Sequence, residues 1–330
     1  MRLLLIRHAQ SEQNAYMERL LKKLQNKTLS VSSFNRKMRQ GPPGTDAGAD
    51  AVLTSLGKSQ AQRLGLTYAP LLLSKAKQGK LIVCVSPFQR CLMTANPLMK
   101  EIRKEMPSFQ ATILPAIMES GGLTDQADFQ HFDQIDAFNK QGKRDEAIQV
   151  LKSIQWKKQG MSGNMMKRKF PWVNLNLNSS ASLFLTKEIT QSPWGEVQYN
   201  DQPWWTYGFE SKKRTHRRIT AVGNWLTKHV STHVPDDVVL VFICHGGTIQ
   251  ELINQLVNNQ SSVDYGPIRN TSVTSIILPS PHFQYNGDRP KNNTAGGSNK
   301  IDRYQIRIEV LNGTEHLGKE QLTFWSKSKL

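Results

Sequence analysis

Three short apolar runs, each followed by polar or glycine residues, constrain the fold of this 330-residue chain most strongly. They cover residues 3–6, 81–85 and 238–243. Continuous aliphatic and β-branched runs without alternation are typical of parallel strands that are covered on both faces. Open α/β sheets bind their ligands at the carboxyl ends of such strands. The residues that follow the three runs are therefore the first candidates for a functional site.

Helical patterns separate these predicted strands. Apolar residues recur at helical spacing over residues 54–75, with Thr54 as the predicted N-cap, and again over residues 210–230 and 248–257. A last strand is predicted around residues 304–310. Strands alternating with helices indicate an α/β fold, here a three-layer sandwich with a mostly parallel central sheet and helices on both faces.

We predict one domain over residues 1–330, with insertions at about 15–49 and 125–205 and a flexible loop at about 285–300. The two insertions are candidates for a cap over the site. We interpret the tryptophans of the second insertion as a small satellite core, with a lid over the pocket as the alternative. These tryptophans are Trp172, Trp194, Trp204 and Trp205.

The chain is strongly basic, with 43 Lys and Arg against 26 Asp and Glu and a formal net charge of +17. Such a field attracts phosphorylated metabolites, nucleic acid, acidic membranes or acidic proteins. The basic runs lack the interleaved aromatic residues of nucleic-acid-reading modules, so no specific nucleic-acid binding is predicted. An acidic partner or a larger assembly could contact the basic insertions. No stretch approaches the roughly 20 apolar residues of a membrane span.

The three cysteines have no metal-ligand spacing, which predicts neither a disulfide framework nor a structural zinc site. We expect a reducing compartment, the cytoplasm, with mitochondria as the alternative. Cys84 and Arg90 have the spacing of a cysteine-dependent phosphatase loop, but the residues between them include no glycine, and Pro87 lacks an amide proton. Cys84 is therefore interpreted as part of a strand.

The segment after the first strand contains three side chains suited to phosphate chemistry. Arg7 can form paired hydrogen bonds to phosphate oxygens, His8 has an imidazole able to attack phosphorus, and Asn14 can donate from its amide. A lone histidine at a strand end is more often structural. The neighbouring arginine and asparagine change that interpretation.

The other two strand ends carry matching groups. The segment 86–95 includes Arg90, for which a surface salt bridge is the alternative role. His245 and Gly246 lie at a strand-to-helix turn, where glycine lets the backbone approach an anion and the helix N-terminus favours negative charge. A phosphate pocket formed by all three strand ends is predicted.

Together these clusters resemble the histidine phosphatase superfamily, also called the phosphoglycerate mutase-like family. The matching pieces occur in the family's order over most of the chain. They are residues 7–14, the pattern Asp50-x-x-Leu53-Thr54-x-x-Gly57, residues 86–95, Glu119, Glu210-Ser211 and His245-Gly246.

The resemblance implies that His8 becomes phosphorylated. It also implies that Arg7, Arg90 and His245 hold the phosphoryl group, with support from Asn14 and the backbone of Gly246. Glu119 would be the acid and base, with Glu101 and Asp125 as alternatives, because Glu119 follows an apolar strand-like run. No metal and no cofactor are implied.

The predicted function is that of a phosphomonoester phosphatase acting on a phosphorylated small molecule or a phosphoprotein. Two alternatives remain open: a mutase-type phosphotransferase and a catalytically idle member serving as a basic scaffold. Gln10 stands where the family commonly has glutamate, and Ala9 where it commonly has glycine. Since that glutamate helps some members to select substrates, Gln10 disfavours the mutase.

Overall fold

The computed structural model describes residues 1–40, 50–120, 131, 134–135, 137–153, 159–175, 200–205, 210–230, 234–235, 237–257, 268–278 and 306–317. Within these ranges the strands are β1 Arg2–Arg7, β2 Leu81–Val85, β3 Ala111–Ile113, β4 Gln159–Ser162, β5 Val173–Asn174, β6 Pro203–Trp205, β7 Val239–Cys244, β8 Val273–Ile277 and β9 Arg307–Gly313. The α-helices are α1 Glu12–Gln25, α2 Val31–Gln40, α3 Ser55–Lys77, α4 Gln89–Glu105, α5 Arg144–Ser153, α6 Gly163–Lys169, α7 Lys212–Trp225 and α8 Gly246–Val257.

The three strands predicted first lie side by side in a sheet of order β5-β3-β2-β7-β1-β8-β9. β2, β7 and β1 are parallel, with Val83 opposite Val241 and Leu5 opposite Phe242. β3 and β5 extend the parallel part, whereas β8 runs antiparallel to both of its neighbours, β1 and β9. This arrangement confirms the predicted mostly parallel sheet. It also brings the carboxyl ends of β1, β2 and β7 to one edge.

Both faces of the sheet are buried. Leu4 and Ile6 of β1 belong to a core that includes residues of α3 and α4, whereas Leu3 and Leu5 belong to a second core with residues of α7 and α8. Alternate side chains of a strand point to opposite faces, so the two cores lie on opposite sides of β1. This confirms the predicted three-layer sandwich.

The predicted helices are present, with small differences at their ends. Thr54 caps α3 by accepting a hydrogen bond from the Gly57 amide (2.9 Å), and the helix ends at Lys77. The helix predicted at 210–230 changes to a π-helical turn, Leu226–Val230. α8 begins two residues before the predicted start, at Gly246. β9 covers Arg307–Gly313 rather than residues 304–310.

The predicted first insertion contains most of α1 together with α2. These helices share a small apolar cluster, formed by Tyr16, Met17, Leu20 and Phe34. Because α1 begins at Glu12, the insertion continues directly from the segment that follows β1. Among the described residues, no helix has both the length and the apolar character needed to cross a membrane.

The second predicted insertion packs directly onto the main sheet. Its strand β5 pairs with β3, and Trp172 and Trp205 are buried in the same core as α3 and α4. The predicted satellite core is therefore wrong, because the pairing of β5 with β3 brings this segment against the existing core. Trp194 and the predicted loop at 285–300 lie outside the described residues.

Candidate active site

The ends of β1 and β7 bring two histidines together. Arg7 pairs with Cys244 in the parallel ladder, and the His8 amide donates to the Cys244 carbonyl (2.9 Å). The next residue along each chain segment then faces the same space. The ring centroids of His8 and His245 are 5.2 Å apart, with the rings at 63°.

The His8 ring is buried and held in one tautomer by the backbone. Its Nδ1–H donates to the carbonyl of Ala9 (2.7 Å). A proton on Nδ1 leaves the lone pair on Nε2. Burial lowers the pKa of His8 well below its ordinary value, and the charges of Arg90 and Arg7 lower it further. At neutral pH the ring is therefore uncharged and able to attack an electrophile.

His245 contacts the protein on both sides of its ring. Nε2 is 2.9 Å from Ser86 Oγ and 3.4 Å from Cys91 Sγ, while Nδ1 is 3.8 Å from Glu119 Oε2. Burial, and next the charge of Arg90, lower the pKa of His245 well below its ordinary value. If Nε2 accepts the Ser86 hydroxyl proton, the ring proton lies on Nδ1, on the side of Glu119.

Arg7 supplies positive charge directly beside the first turn of α8. Its Nη1 donates to the Ile268 carbonyl, and burial lowers its pKa to about 10, with Glu119 acting in the opposite direction. The guanidinium therefore stays charged at neutral pH. A Cβ on Gly246 would lie 3.3 Å from Arg7 Nε, so glycine allows this close approach.

Arg90 lies in the first turn of α4, after β2. Its guanidinium carbon is 4.3 Å from the centroid of the Phe88 ring, and that ring lies 4.8 Å from the His245 ring. The charge of Arg90 reaches both histidines, since it lowers the pKa of each. The predicted alternative, a surface salt bridge, does not fit a side chain that is buried.

Glu119 lies next to His245 and the start of α8. Its side chain is 28% exposed, and a Cβ on Gly247 would come within 2.8 Å of its Oε1. Of the two alternatives for this role, Glu101 pairs with Lys104 on α4 (2.6 Å), and Asp125 lies outside the described residues. Of the candidates that the structure describes, Glu119 is the one that lies beside His245.

Asn14 contributes to the shape of the segment after β1. It forms a capping box with Ser11 at the start of α1, and its Oδ1 accepts from Asn270 Nδ2 (3.3 Å). Asn270 also donates to the His8 carbonyl (3.0 Å). These contacts fix the backbone that presents His8.

Asp50 is a site residue whose role the sequence did not reveal. It accepts a hydrogen bond from the Gln89 amide at the start of α4, a helix whose N-cap residue, Phe88, makes no side-chain cap. Burial raises the pKa of Asp50 to about 7, while Arg90 acts to lower it. The sequence does not show this role, since a cap that comes from a distant segment has no local sequence signal.

The arrangement can bind and attack an anion. Arg7 Nε and His245 Nδ1 are buried and have no hydrogen-bond partner among the described residues. Both can donate to an anion placed between the histidines, where the N-terminus of α8 also favours negative charge. In the described part of the chain, no group of three His, Cys, Asp or Glu side chains is arranged to hold a metal ion.

No family model matches the chain, and no curated protein gives a significant sequence match. Solved structures do match. A mycobacterial hydrolase is 16% identical, with 95% of this chain and 99% of that chain covered and a TM-score of 0.42. An ecdysone phosphate phosphatase from Bombyx mori, in complex with tungstate, is 15% identical, with 90% and 96% covered and a TM-score of 0.42.

A mutant phosphoserine phosphatase from Entamoeba histolytica, in complex with phosphoserine, is 14% identical. The match covers 96% of this chain and 98% of that chain, with a TM-score of 0.40.

Proposed function

We propose that this chain is a phosphomonoester phosphatase of the histidine phosphatase superfamily, which forms a phosphohistidine at His8. The observation that carries the proposal is the pair of buried imidazoles, 5.2 Å apart, beside the guanidinium groups of Arg7 and Arg90. Two neutral rings and two fixed cations suit a dianionic phosphoryl group. Glu119, 3.8 Å from His245, supplies the acid.

The unpaired donors support phosphate binding. A buried donor without a partner costs about 1–3 kcal/mol, and two such donors, Arg7 Nε and His245 Nδ1, lie in the described part of this site. Phosphoryl oxygens accept hydrogen bonds from both kinds of group. Substrate binding would therefore satisfy donors that the described residues leave unpaired.

In the first step, His8 Nε2 attacks phosphorus, and the bond between phosphorus and the substrate oxygen breaks. Glu119 donates a proton to the departing oxygen, so the product leaves as an alcohol. Arg7 and Arg90 offset the charge on the phosphoryl oxygens during transfer. In this proposal the two cations do the work that a metal ion does in other phosphatases.

In the second step, Glu119 as a carboxylate accepts a proton from water, and that water attacks the phosphohistidine. The bond between phosphorus and Nε2 breaks, which releases inorganic phosphate and restores neutral His8. The 28% exposure of the Glu119 side chain is consistent with access of water to this carboxylate.

The substrate class we propose is a phosphorylated small molecule or a phosphoprotein, and hydrolysis is favoured over transfer. The Gln10 side chain donates to Glu18 (3.1 Å) and accepts from the Thr54 hydroxyl (2.8 Å). Both ends of its amide are thus used within the protein. The carboxylate that helps some family members to select substrates is absent at this position.

The test is to incubate the protein with labelled phosphomonoesters and to look for an acid-labile phosphoenzyme. We expect label on the wild type and on His216→Ala, a control at an exposed histidine that pairs with Glu251, but not on His8→Ala. Unchanged activity in His8→Ala, or loss of activity in a chelator, would refute the mechanism. Isomerised product without phosphate release would indicate a mutase. Absence of both label and turnover would indicate a non-catalytic role.

A further inference from the structure

A buried ion pair lies behind the proposed acid. Arg218 and Glu210 are both essentially without solvent contact, and Arg218 Nη2 is 2.6 Å from Glu210 Oε2. Nε of the same arginine donates to Glu210 Oε1 (2.9 Å), so the pair is bidentate. Such pairs are weak evidence for stability, because removing two charges from water is costly. The pair can instead serve to position the neighbouring backbone.

The remaining Nη1 of Arg218 binds the backbone that leads to Glu119. It donates to the carbonyls of Ala116 (2.8 Å) and Met118 (3.0 Å). This segment follows the end of β3 at Ile113, so its carbonyls have left the sheet. Buried carbonyls need donors, and Arg218 supplies them to the residue directly before the acid.

A second donor connects the same backbone to the other side of the site. The Thr248 hydroxyl, in the first turns of α8, donates to the Met118 carbonyl (2.7 Å). α8 follows His245 directly, and the Ile249 amide donates to the His245 carbonyl (2.9 Å). The Met118 carbonyl is therefore held by one group from α7 and by one from α8, the helix that follows His245.

Glu119 itself makes few contacts within the described residues. Its Oε1 accepts from the Ser120 amide (3.1 Å), and its Oε2 is 3.8 Å from His245 Nδ1. A proton donor must lie within hydrogen-bond reach of the leaving oxygen, and small displacements reduce the rate strongly. The position of this acid thus depends on the carbonyl directly before it.

We propose that Arg218 and Thr248 are positioning residues, which fix the backbone at Met118 so that Glu119 reaches the leaving group. This inference rests on the proposed phosphatase function. It assigns the buried pair a role in the protonation of the leaving oxygen, the part of the reaction that depends on leaving-group basicity.

The test compares kcat/KM for two substrates, p-nitrophenyl phosphate and glycerol 1-phosphate. The aryl oxide leaves easily without a proton, whereas the alkoxide needs one. In Thr248→Val we expect kcat/KM to fall about tenfold for the alkyl ester and less than about twofold for the aryl ester. Thr248→Ser, which keeps the hydroxyl, should restore the alkyl activity.

Thr227→Val is the matched control. This variant also removes a threonine hydroxyl that donates to a backbone carbonyl, that of Gly223 (2.9 Å), but in the π-helical turn after α7. We expect both substrates to be unaffected. Arg218→Lys, provided that circular dichroism shows it folded, should lower the alkyl rate about a hundredfold and the aryl rate much less.

Equal losses for the two substrates in Thr248→Val, or no loss for either, would overturn the inference while the phosphatase function stands. A wild-type protein that hydrolyses neither ester would refute both the phosphatase function and the positioning role, since there would be no leaving oxygen to protonate. A loss in Thr227→Val as large as that in Thr248→Val would also overturn it, because loss of a threonine hydroxyl bonded to a backbone carbonyl elsewhere would then have the same effect.

Discussion

Replacement of Gly247 by alanine should separate activity from stability. Gly247 is the second residue of α8, and a Cβ there would lie 2.8 Å from Glu119 Oε1 and 3.5 Å from Ser120 Oγ. The nearest atom is the far end of a flexible side chain, so the carboxylate can move without disturbing the backbone. The Glu119 carboxylate must withdraw by about 0.6 Å to restore ordinary van der Waals contact.

The two effects of this substitution have opposite signs. A displacement of this size at a catalytic group corresponds to about a tenfold to hundredfold loss of kcat/KM, since about 1 Å costs two orders of magnitude. Alanine in place of glycine within a helix favours the folded state by up to about 1 kcal/mol. We therefore expect a much less active enzyme whose free energy of unfolding is unchanged or higher.

The assay is kcat/KM for glycerol 1-phosphate together with urea denaturation. Gly223→Ala, in α7, is the control. Its Cβ would lie 3.4 Å from Gln255 Cβ of α8, which is an ordinary van der Waals contact. That variant should be slightly more stable and fully active. Full activity in Gly247→Ala would refute the placement of Glu119 against α8. A loss of stability above about 2 kcal/mol would show that the backbone, rather than the carboxylate, gives way.

Three further predictions concern stability, each measured by urea denaturation. Gly57→Ala should lower the free energy of unfolding by about 2–3 kcal/mol, because its Cβ would lie 2.0 Å from the Gln10 carbonyl oxygen. Gly79→Ala should lower it by only about 1 kcal/mol, because its Cβ would have nothing within 4 Å and the loss comes from a φ of +69°. Equal losses in the two variants would contradict this. Arg218→Ala should cost about 3–5 kcal/mol by leaving Glu210 buried without a cation, and a cost below about 1 kcal/mol would contradict that. Because the pKa of His8 is lowered in the folded state, the unfolded chain binds a proton below about pH 6.5 that the folded chain does not, and stability decreases as the pH is lowered. In His8→Gln this decrease should be shallower by about 1.4 kcal/mol per pH unit, and parallel curves for the two proteins would refute the argument.

The central strands could be predicted from the sequence because each consists of a continuous apolar run. In β1, both Leu3 and Leu4 are buried, one in each core, so no polar face interrupts the pattern. The strand at the edge of the sheet, β5, could not be predicted from the sequence. β5 has only the two residues Val173 and Asn174, too few for any periodicity, and it lies within a segment interpreted as a separate insertion.

The core of the site could also be anticipated, since a strand end determines where the next side chain lies. His8 and His245 follow β1 and β7 directly, and parallel pairing of those strands makes them neighbours. The sequence shows that Gln10 departs from the family pattern, but it does not show what the Gln10 side chain contacts. Its partners, Glu18 and Thr54, come from two other elements, and only the folded chain brings them together.

The support of Glu119 could not be predicted for a more basic reason. Arg218 and Thr248 bind the Met118 carbonyl, and every residue type has the same carbonyl. A contact from a side chain to a backbone acceptor therefore leaves no matching residue in the sequence. The charge pair gives a partial signal, since Glu210 precedes Arg218 by about two helical turns, but it does not show that the remaining donor reaches across to the acid. Met118 itself is buried in the core and enters these two contacts only through its backbone, so the sequence shows a core residue where the fold has an acceptor for two side chains.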